Sequence, residues 1–339
     1  MNENPFGTGA EESIQDHRTI PHSPDMAVLY ETGGVDYLPT DIENQHRVGI
    51  CTAISLTQNQ GKANNKKYSA DFQYLLQKKF YDLAWYEGSS LLNALKVGKK
   101  YGFLPNDLWT HTTEADRSLP YSEYVAKLQN LSDAEINRLL VLCVDNLKGY
   151  AQVNVNDSMA VAKAINDSKA GIICRYAVDK NWWTDKNGNV SYKPEDINPL
   201  RAPTSLASGH AITMSKFDYT LTIDQILSNT WGTDWDKQGN ADVDYSNYRM
   251  TEAWLITDKI YFLQNLKLGD NNDDVKRLQV FLNNHGFSIA LSGPGSPGNE
   301  TSYFGLLTQK ALIRFQTANN ISPTGFFGPI TRTLVNSML

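Results

Sequence analysis

Four polar residues of this 339-residue chain are spaced so that together they could cleave an acyl bond. Cys51 would favour its thiolate form at the start of a helix, where exposed N–H groups lower the pKa of a thiol. His210 could take the thiol proton and later protonate a leaving amine, while Asn229 could hold the imidazole in one tautomer. Gln45, six residues before the cysteine, could donate an N–H to an oxyanion alongside the backbone N–H of Cys51. The order cysteine, histidine, asparagine is that of a known catalytic triad.

Short segments around these residues resemble the papain-like cysteine peptidases. Cys51-Thr52-Ala53-Ile54-Ser55 is similar to the family's Cys-Trp-Ala-Phe-Ser, Gly209-His210-Ala211 matches the segment around its catalytic histidine, and residues 229–235, NTWGTDW, are close to its Asn-Ser-Trp-Gly-Thr-x-Trp. The resemblance covers about residues 27–258. It implies that Asn229 orients His210, that Gln45 serves the oxyanion, and that Trp231 shields the histidine–asparagine hydrogen bond from water.

The same resemblance implies a fold and a set of substrate-binding residues. The fold class is α+β, with a helical lobe presenting the cysteine, a β-rich lobe presenting the histidine and asparagine, and the peptide between them. Gly88 and Ser89 fall on the edge along which the family runs its substrate. Gly209 and Trp231 complete the substrate-binding residues that we expect from the resemblance.

Several positions depart from the family's pattern without removing a catalytic group: Val48, Thr52, Ser89, Asp236 and Asn240. Thr52 replaces the tryptophan that usually follows the nucleophile, and Val48 stands where many relatives have a cysteine. These departures bear on substrate preference more than on chemistry. The chemistry needs neither a metal ion nor an organic cofactor. Residues 35–39, VDYLP, resemble the start of the mature enzyme.

The composition argues against several other classes of protein. Hydrophobic residues make up 41% and charged residues 20%, which is typical of a globular chain with a real core. The net charge is −6 and basic residues are scattered, so we do not expect nucleic acid as a partner. No stretch approaches the apolar length of a membrane helix. We expect a monomer, with Cys143 and Cys174 as inert buried thiols.

Local patterns predict helices first and strands later, which favours α+β over alternating α/β. We expect helices over 51–60, 69–81, 90–101, from Ser132 to about Leu147 and over 158–167, and strands over 171–178, 210–217, 223–229 and 252–257. Ser69 and Ser132 are the predicted helix caps. Asn187-Gly188 predicts a hairpin turn.

Residues from about 262 onward resemble the type 1 peptidoglycan-binding domain, a small three-helix module that binds bacterial cell-wall polymer. The motif Phe304-Gly305-Leu306-Leu307-Thr308 returns as Phe327-Gly328-Pro329-Ile330-Thr331, each time as a turn that precedes a helix. By analogy with the family, the wall ligand would lie near the helix junctions, where the candidate contacts are Tyr303, Arg314 and Gln316.

The expected organisation is therefore a leader or pro-segment remnant at 1–26, a papain-like peptidase domain at 27–259 and a peptidoglycan-binding-like domain at 260–339. The leader has no basic and apolar signal-peptide regions. The expected function is a cysteine endopeptidase tethered to bacterial peptidoglycan, in the extracellular space or the cell wall, acting on peptides or proteins. The alternatives are a hydrolase of peptidoglycan cross-link peptides and a non-catalytic wall-binding protein.

Overall fold

The computed structural model describes residues 7–13, 32–34, 42–82, 84–187, 189–191, 193, 197, 208–218, 224–244, 250–257, 262 and 264–338. Residues 35–39 and Gly188, named above, lie outside the described residues. The chain divides into two compact units, whose described residues end at 257 in the first and begin at 262 in the second. Among the helices of these ranges, none is long and apolar enough to cross a membrane.

The described part of the first unit has six α-helices, and the local sequence predicts the caps of two of them, Ser69 and Ser132. The six helices are α1 (Cys51–Asn64), α2 (Ala70–Phe80), α3 (Leu91–Tyr101), α4 (Tyr121–Gln129), α5 (Asp133–Leu140) and α6 (Ser158–Asp167). The Ser69 hydroxyl accepts from the Phe72 N–H at 3.1 Å, as expected of a cap. The predicted end of α5 near Leu147 is wrong. The chain leaves the helix after Leu140 because Val144 exchanges both backbone hydrogen bonds with Phe103, at 2.8 and 2.9 Å.

The strands form one large antiparallel sheet and one short parallel pair. They are β1 (Ala10–Glu11), β2 (Thr32–Gly34), β3 (Ser89–Ser90), β4 (Gly149–Gln152), β5 (Ile172–Val178), β6 (Ser208–Asp218), β7 (Asp224–Ser228), β8 (Asn240–Asp244) and β9 (Met250–Thr257). The seven-stranded sheet has the order β4-β9-β5-β6-β7-β8, with β2 also pairing with β6. β1 pairs with β3. The four strands predicted from the sequence are confirmed as β5, β6, β7 and β9. The strands β4 and β8 carried no sequence signal that we recognised.

The two faces of the large sheet pack against different cores because side chains alternate along each strand. Cys174 of β5 lies in a cluster with the α6 residue Ile165. Its neighbour Ile173 lies in another cluster, with Ala211 of β6 and Cys51 of α1. Thus α1 packs against the sheet through its first residue, and the thiol of Cys51 lies beside the strand that carries His210.

The second unit is a three-helix module, as the sequence predicts, formed by α7 (Asp273–Asn284), α8 (Leu306–Ala318) and α9 (Pro329–Ser337). The repeated motif of residues 304–308 and 327–331 has a structural cause. Gln279 of α7 donates through Nε2 to the Thr308 hydroxyl at 2.9 Å, and Gln316 of α8 donates likewise to Thr331 at 3.0 Å. Each repeated threonine therefore joins the start of its helix to a buried glutamine of the helix before it.

Candidate active site

Cys51 is the first residue of α1, and its side chain is buried. Burial raises the pKa of the thiol, although hydrogen bonds to its sulfur from the backbone of Ala211, Gly9 and Thr52 act in the opposite direction. The expectation of a lowered pKa at the helix start is therefore wrong for this arrangement. Removal of the sulfur from water outweighs the helix terminus, because the charged form loses its solvation.

His210, on β6, and Asn229, directly after β7, lie side by side in the large sheet. Asn229 Oδ1 accepts from the Thr230 N–H at 2.7 Å and lies 2.7 Å from His210 Nε2. An amide oxygen can only accept, so Nε2 carries the proton and Nδ1 of the neutral ring is the acceptor. Nδ1 is buried and has no hydrogen-bond partner among the described residues. The ring is therefore set in the tautomer of a general base.

Trp231 covers the imidazole, with its ring stacked on that of His210 at 4.5 Å between centroids. It packs edge-on against Trp182 and Trp235, deep in the sheet core. Burial lowers the pKa of His210 to about 4, and its hydrogen bond with Asn229 offsets only part of this effect. Trp231 is 1% exposed, so the described structure gives it contacts with the imidazole of His210 rather than with an open binding surface.

Gln45 lies in the loop before α1, fully buried, with both ends of its amide engaged. Its Oε1 accepts from the Thr230 hydroxyl at 2.5 Å, and its Nε2 donates to the backbone carbonyl of Gly7. The Thr230 hydroxyl therefore determines which way the amide points. Thr230 is a positioning residue that sequence reasoning missed, although it stands beside Asn229 in a segment that the resemblance had already singled out.

A buried charge cluster holds the loop that carries Gln45. The Arg117 guanidinium contacts Glu43 at 2.8 Å and Asp71 at 3.0 Å, and it donates to the Asn44 carbonyl at 3.2 Å. Burial raises the pKa of Glu43 even beside this cation. His46 adopts a φ of +48°, so the loop turns sharply directly after Gln45. Arg117 had no sequence signal that we recognised.

Of the two residues expected on the substrate edge, Ser89 is the first residue of β3 and Gly88 directly precedes it, and both contact a buried ion pair. Gly88 has a φ of +95°, and its carbonyl accepts from Lys78 Nζ. Lys78 pairs with Asp82 at 3.0 Å, and the Ser89 hydroxyl donates to the same carboxylate at 3.1 Å. Gly209 borders the same region, since a Cβ there would collide with the carbonyl oxygen of Ala10.

Residues 7–13 lie along Gly88 and the strand β3. The Ser89 N–H donates to the Gly9 carbonyl at 2.7 Å, and Ala10 pairs with Ser89 in β1 and β3. The backbone of Gly9 also contacts the sulfur of Cys51. The sequence alone left open whether this part of the chain is a flexible leader or a pro-segment. In the structure, Ala10–Glu11 of this segment form the short strand β1.

The remaining candidate residues are the two other cysteines of the first unit and the predicted wall contacts of the second unit. Cys143 and Cys174 are free thiols, and burial raises the pKa of Cys143 to about 12. In the part of the chain that the structure describes, no group of three or more His, Cys, Asp or Glu side chains could hold a metal ion. In the second unit Tyr303 is exposed, whereas Gln316 is buried and occupied by Thr331, so its predicted wall contact is wrong.

Two comparisons of sequence each match a small part of the chain. Residues 271–335 match the family described as "Putative peptidoglycan binding domain". A protein of Kitasatospora aureofaciens, described as "Uncharacterized protein in bpoA1 3'region", is 41% identical over 66 residues. That match covers 20% of this chain and spans 50% of the relative's own length.

Solved structures resemble the first unit. Xylellain, a cysteine protease from Xylella fastidiosa, aligns with a TM-score of 0.58 at 19% identity, over 76% of this chain and 98% of its own. Digestive procathepsin L2 from Tenebrio molitor larval midgut aligns with a TM-score of 0.51 at 15% identity, over 75% of this chain and 78% of its own. The first unit therefore has the papain-like cysteine protease fold, an α+β fold, and it is joined to a helical module that matches the family described as "Putative peptidoglycan binding domain".

Proposed function

We propose that this protein is a cysteine endopeptidase that uses Cys51, His210 and Asn229. The observation that carries the proposal is the 2.7 Å contact between His210 Nε2 and Asn229 Oδ1. It leaves Nδ1 as an acceptor in a strand whose next residue, Ala211, contacts the sulfur of Cys51. These contacts support a site in which Cys51 is the nucleophile, His210 is the base and Asn229 orients the base.

The chemistry follows from these positions. The sulfur of Cys51 attacks the carbonyl carbon of the scissile bond, and its proton passes to His210 Nδ1. The C–N bond breaks as Nδ1 returns that proton to the leaving amine, which leaves a thioester on Cys51. Water then adds to the thioester and gives a proton to Nδ1. The C–S bond breaks, the acid product leaves, and the sulfur regains its proton.

The negative oxygen that forms in both addition steps needs donors already in place. Gln45 Nε2 is aimed by Thr230 and currently donates to a carbonyl oxygen, that of Gly7. A carbonyl oxygen is the ground-state counterpart of the oxyanion, so this contact supports the role of Gln45. The backbone N–H of Cys51 would be the second donor. Asn229 and Trp231 keep the imidazole oriented and away from water.

The second unit would supply location rather than chemistry. Its match to a peptidoglycan-binding family supports attachment to bacterial cell wall, outside the cytoplasm. Attachment would raise the local concentration of the peptidase near wall-borne peptides and proteins without adding a catalytic group. We expect catalysis without a metal or organic cofactor and from a monomer.

The experiment is a digest of a mixed peptide library by the full chain under reducing conditions, with cleavage sites identified by mass spectrometry. Cleavage by the wild type and by Cys143→Ala, but not by Cys51→Ala, would support the proposal and reveal the preferred residues around the cut. Cys143→Ala is the matched control because Cys143 lies outside the site. Equal cleavage by Cys51→Ala would overturn it.

A second candidate substrate is the cross-linking peptide of peptidoglycan itself, which the wall-binding module favours. The same triad would cut it. Purified sacculi are the discriminating substrate, because release of soluble muropeptides by the wild type alone would identify a wall hydrolase. A protein that binds sacculi and cleaves neither substrate, even with an alkylatable Cys51, would be a non-catalytic wall-binding protein.

A further inference from the structure

Glu87 lies where the expected substrate edge meets the loop that precedes the nucleophile. It directly precedes Gly88 and Ser89 in the chain. Its Oε1 accepts a hydrogen bond from the Gly49 N–H at 2.7 Å. Gly49 is two residues before Cys51, so the Cα atoms of these two residues are at most about 7.6 Å apart. The Glu87 carboxylate is therefore a charged group close to the sulfur, and the proposed mechanism gives it no role.

The other oxygen of this carboxylate is open to a ligand. Glu87 is exposed as a whole residue, and among the described contacts no hydrogen bond reaches its Oε2 and no ion pair includes it. Lys78 is the cation whose charge acts on Glu87, but its side chain is 1% exposed. The Lys78 ammonium pairs with Asp82 at 3.0 Å and donates to the Gly88 carbonyl. A cation that arrived from solvent would thus find one carboxylate oxygen unoccupied.

The carboxyl end of Glu87 has also lost part of its hydration. Burial against the loop raises the pKa of Glu87, although the hydrogen bond from Gly49 and the charge of Lys78 act in the opposite direction. The ionised form is therefore partly desolvated, and the described structure supplies no ion-pair partner in return. A cationic group bound at Oε2 would be attracted more strongly than by a fully solvated carboxylate, because water screens the charges less.

The segment that carries Glu87 is fixed on both sides. The Tyr121 hydroxyl donates to the Tyr86 carbonyl at 2.8 Å. The Gly88 N–H donates to the Tyr74 hydroxyl at 3.2 Å, and the two tyrosine hydroxyls lie 2.9 Å apart. A side chain that discriminates between ligands must keep its position as the ligand changes, and a supported backbone provides this rigidity.

We propose that Glu87 selects substrates with a cationic side chain, lysine or arginine, on the residue whose carbonyl carbon Cys51 attacks. This inference deepens the proposed function and rests on it. That residue becomes bonded to the Cys51 sulfur, so its side chain starts close to the loop of Gly49. Lysine carries its ammonium on a flexible four-carbon stem and arginine carries a fork of donors, so either could place its charge at Oε2 while Oε1 keeps Gly49. An acidic side chain there would be repelled.

The first test compares peptides that have lysine, methionine or glutamate directly before the cut and are otherwise identical to the best library peptide. For the wild-type full chain, kcat/KM should be about tenfold higher with lysine than with methionine, since a hydrogen bond to a charged group contributes at least this much. Glu87→Gln keeps an oxygen that can accept from Gly49 but loses the charge, so the ratio should fall close to one. Glu87→Lys should favour the glutamate peptide.

The matched control is Glu123→Gln, which removes the same charge from an exposed position on α4. It should keep the wild-type ratio of lysine to methionine. An equal fall of the ratio in Glu123→Gln and Glu87→Gln would overturn the inference, because a general change of net charge would then explain both. A wild-type ratio in Glu87→Gln would overturn it as well.

The second test needs no turnover. Methanethiosulfonate reagents place either a trimethylammonium or a sulfonate group on a cysteine: the thiolate attacks the sulfenyl sulfur, a disulfide forms and methanesulfinate leaves. At low ionic strength the ratio of the cationic to the anionic labelling rate at Cys51, followed by mass spectrometry, should fall at least about fivefold in Glu87→Gln. The same ratio at Cys143, which lies outside the site, should be equal in both proteins.

The two tests separate this inference from the proposed function. If the wild type cleaves peptides and Glu87→Gln changes neither ratio, the inference is overturned and the peptidase stands. If the wild type cleaves no peptide but the labelling ratio at Cys51 falls in Glu87→Gln, the selection of cations by Glu87 is upheld and the peptidase is rejected.

Discussion

The hydroxyl of Thr230 donates a hydrogen bond to Oε1 of Gln45 over 2.5 Å. The two residues are 185 positions apart in the chain, and the backbone reinforces the contact because the Gln45 N–H donates to the Thr230 carbonyl at 2.9 Å. A side-chain amide can turn over by rotation, which exchanges its donor and its acceptor. With Oε1 held by a hydroxyl, Nε2 is the end that donates to the Gly7 carbonyl.

Thr230→Val should therefore lower kcat without much change in KM. Loss of one oxyanion donor costs about 100-fold or more, and an amide that is free to turn should lose part of that, about tenfold. Thr230→Ser keeps the hydroxyl and should retain activity. The measurement is steady-state kinetics on the best library peptide. Equal losses in the serine and valine variants would show that Thr230 acts through packing instead.

His210 should make the first unit less stable in acid. Burial lowers its pKa from 6.5 to about 4, so the unfolded chain takes up a proton at a higher pH than the folded chain does. As the pH falls from 6.5 to 4, this protonation lowers the free energy of unfolding, by about 3 kcal/mol at pH 4. The free energy of unfolding of His210→Gln should fall less than that of the wild type between pH 7 and pH 4. Urea melts at each pH measure this, and parallel curves would contradict it.

Arg117→Met should be strongly destabilising because it leaves Glu43 and Asp71 buried without their cation. Removal of one partner from a buried ionic cluster typically costs about 3–5 kcal/mol. The matched control is Arg138→Met, which breaks an exposed pair with Glu135 and should leave the melting temperature unchanged. Thermal unfolding followed by circular dichroism distinguishes them. A wild-type melting temperature in Arg117→Met would mean that the loop before α1 does not depend on this cluster.

The three-helix module should depend on its buried glutamines. Gln316 Nε2 donates to the Phe326 carbonyl and to Thr331, and its Oε1 accepts from the Gly325 N–H, all near 2.9–3.0 Å. Gln316→Leu leaves these partners unsatisfied at about 1–3 kcal/mol each, a large share of a small domain's stability. We expect loss of pelleting with purified sacculi and rapid proteolysis after residue 262. Lys310→Ala, an exposed change on the same helix, should pellet normally, and normal pelleting by both variants would contradict the prediction.

Local sequence was sufficient wherever the determinant of structure is itself local. The starts of α2 and α5 follow from Ser69 and Ser132, because a cap bonds to a backbone N–H only three residues away. The end of α5 could not be found in this way. It depends on pairing between Val144 and Phe103, 41 residues apart, which no local pattern encodes.

The sequence by itself determined the chemical groups available to the site: a thiol at a helix start, an imidazole, and two amides in a recognisable order. The protonation states were decided only by the tertiary structure, because burial rather than the helix terminus dominates the pKa of Cys51. Tertiary structure also decided that Thr230 aims Gln45 and that Arg117 supports the loop, since both contacts join distant parts of the chain. The position of residues 7–13 has the same origin: Gly7 and Gly9 look like the glycines of any loop until the backbone of Gly49 and Gly88 lies against them.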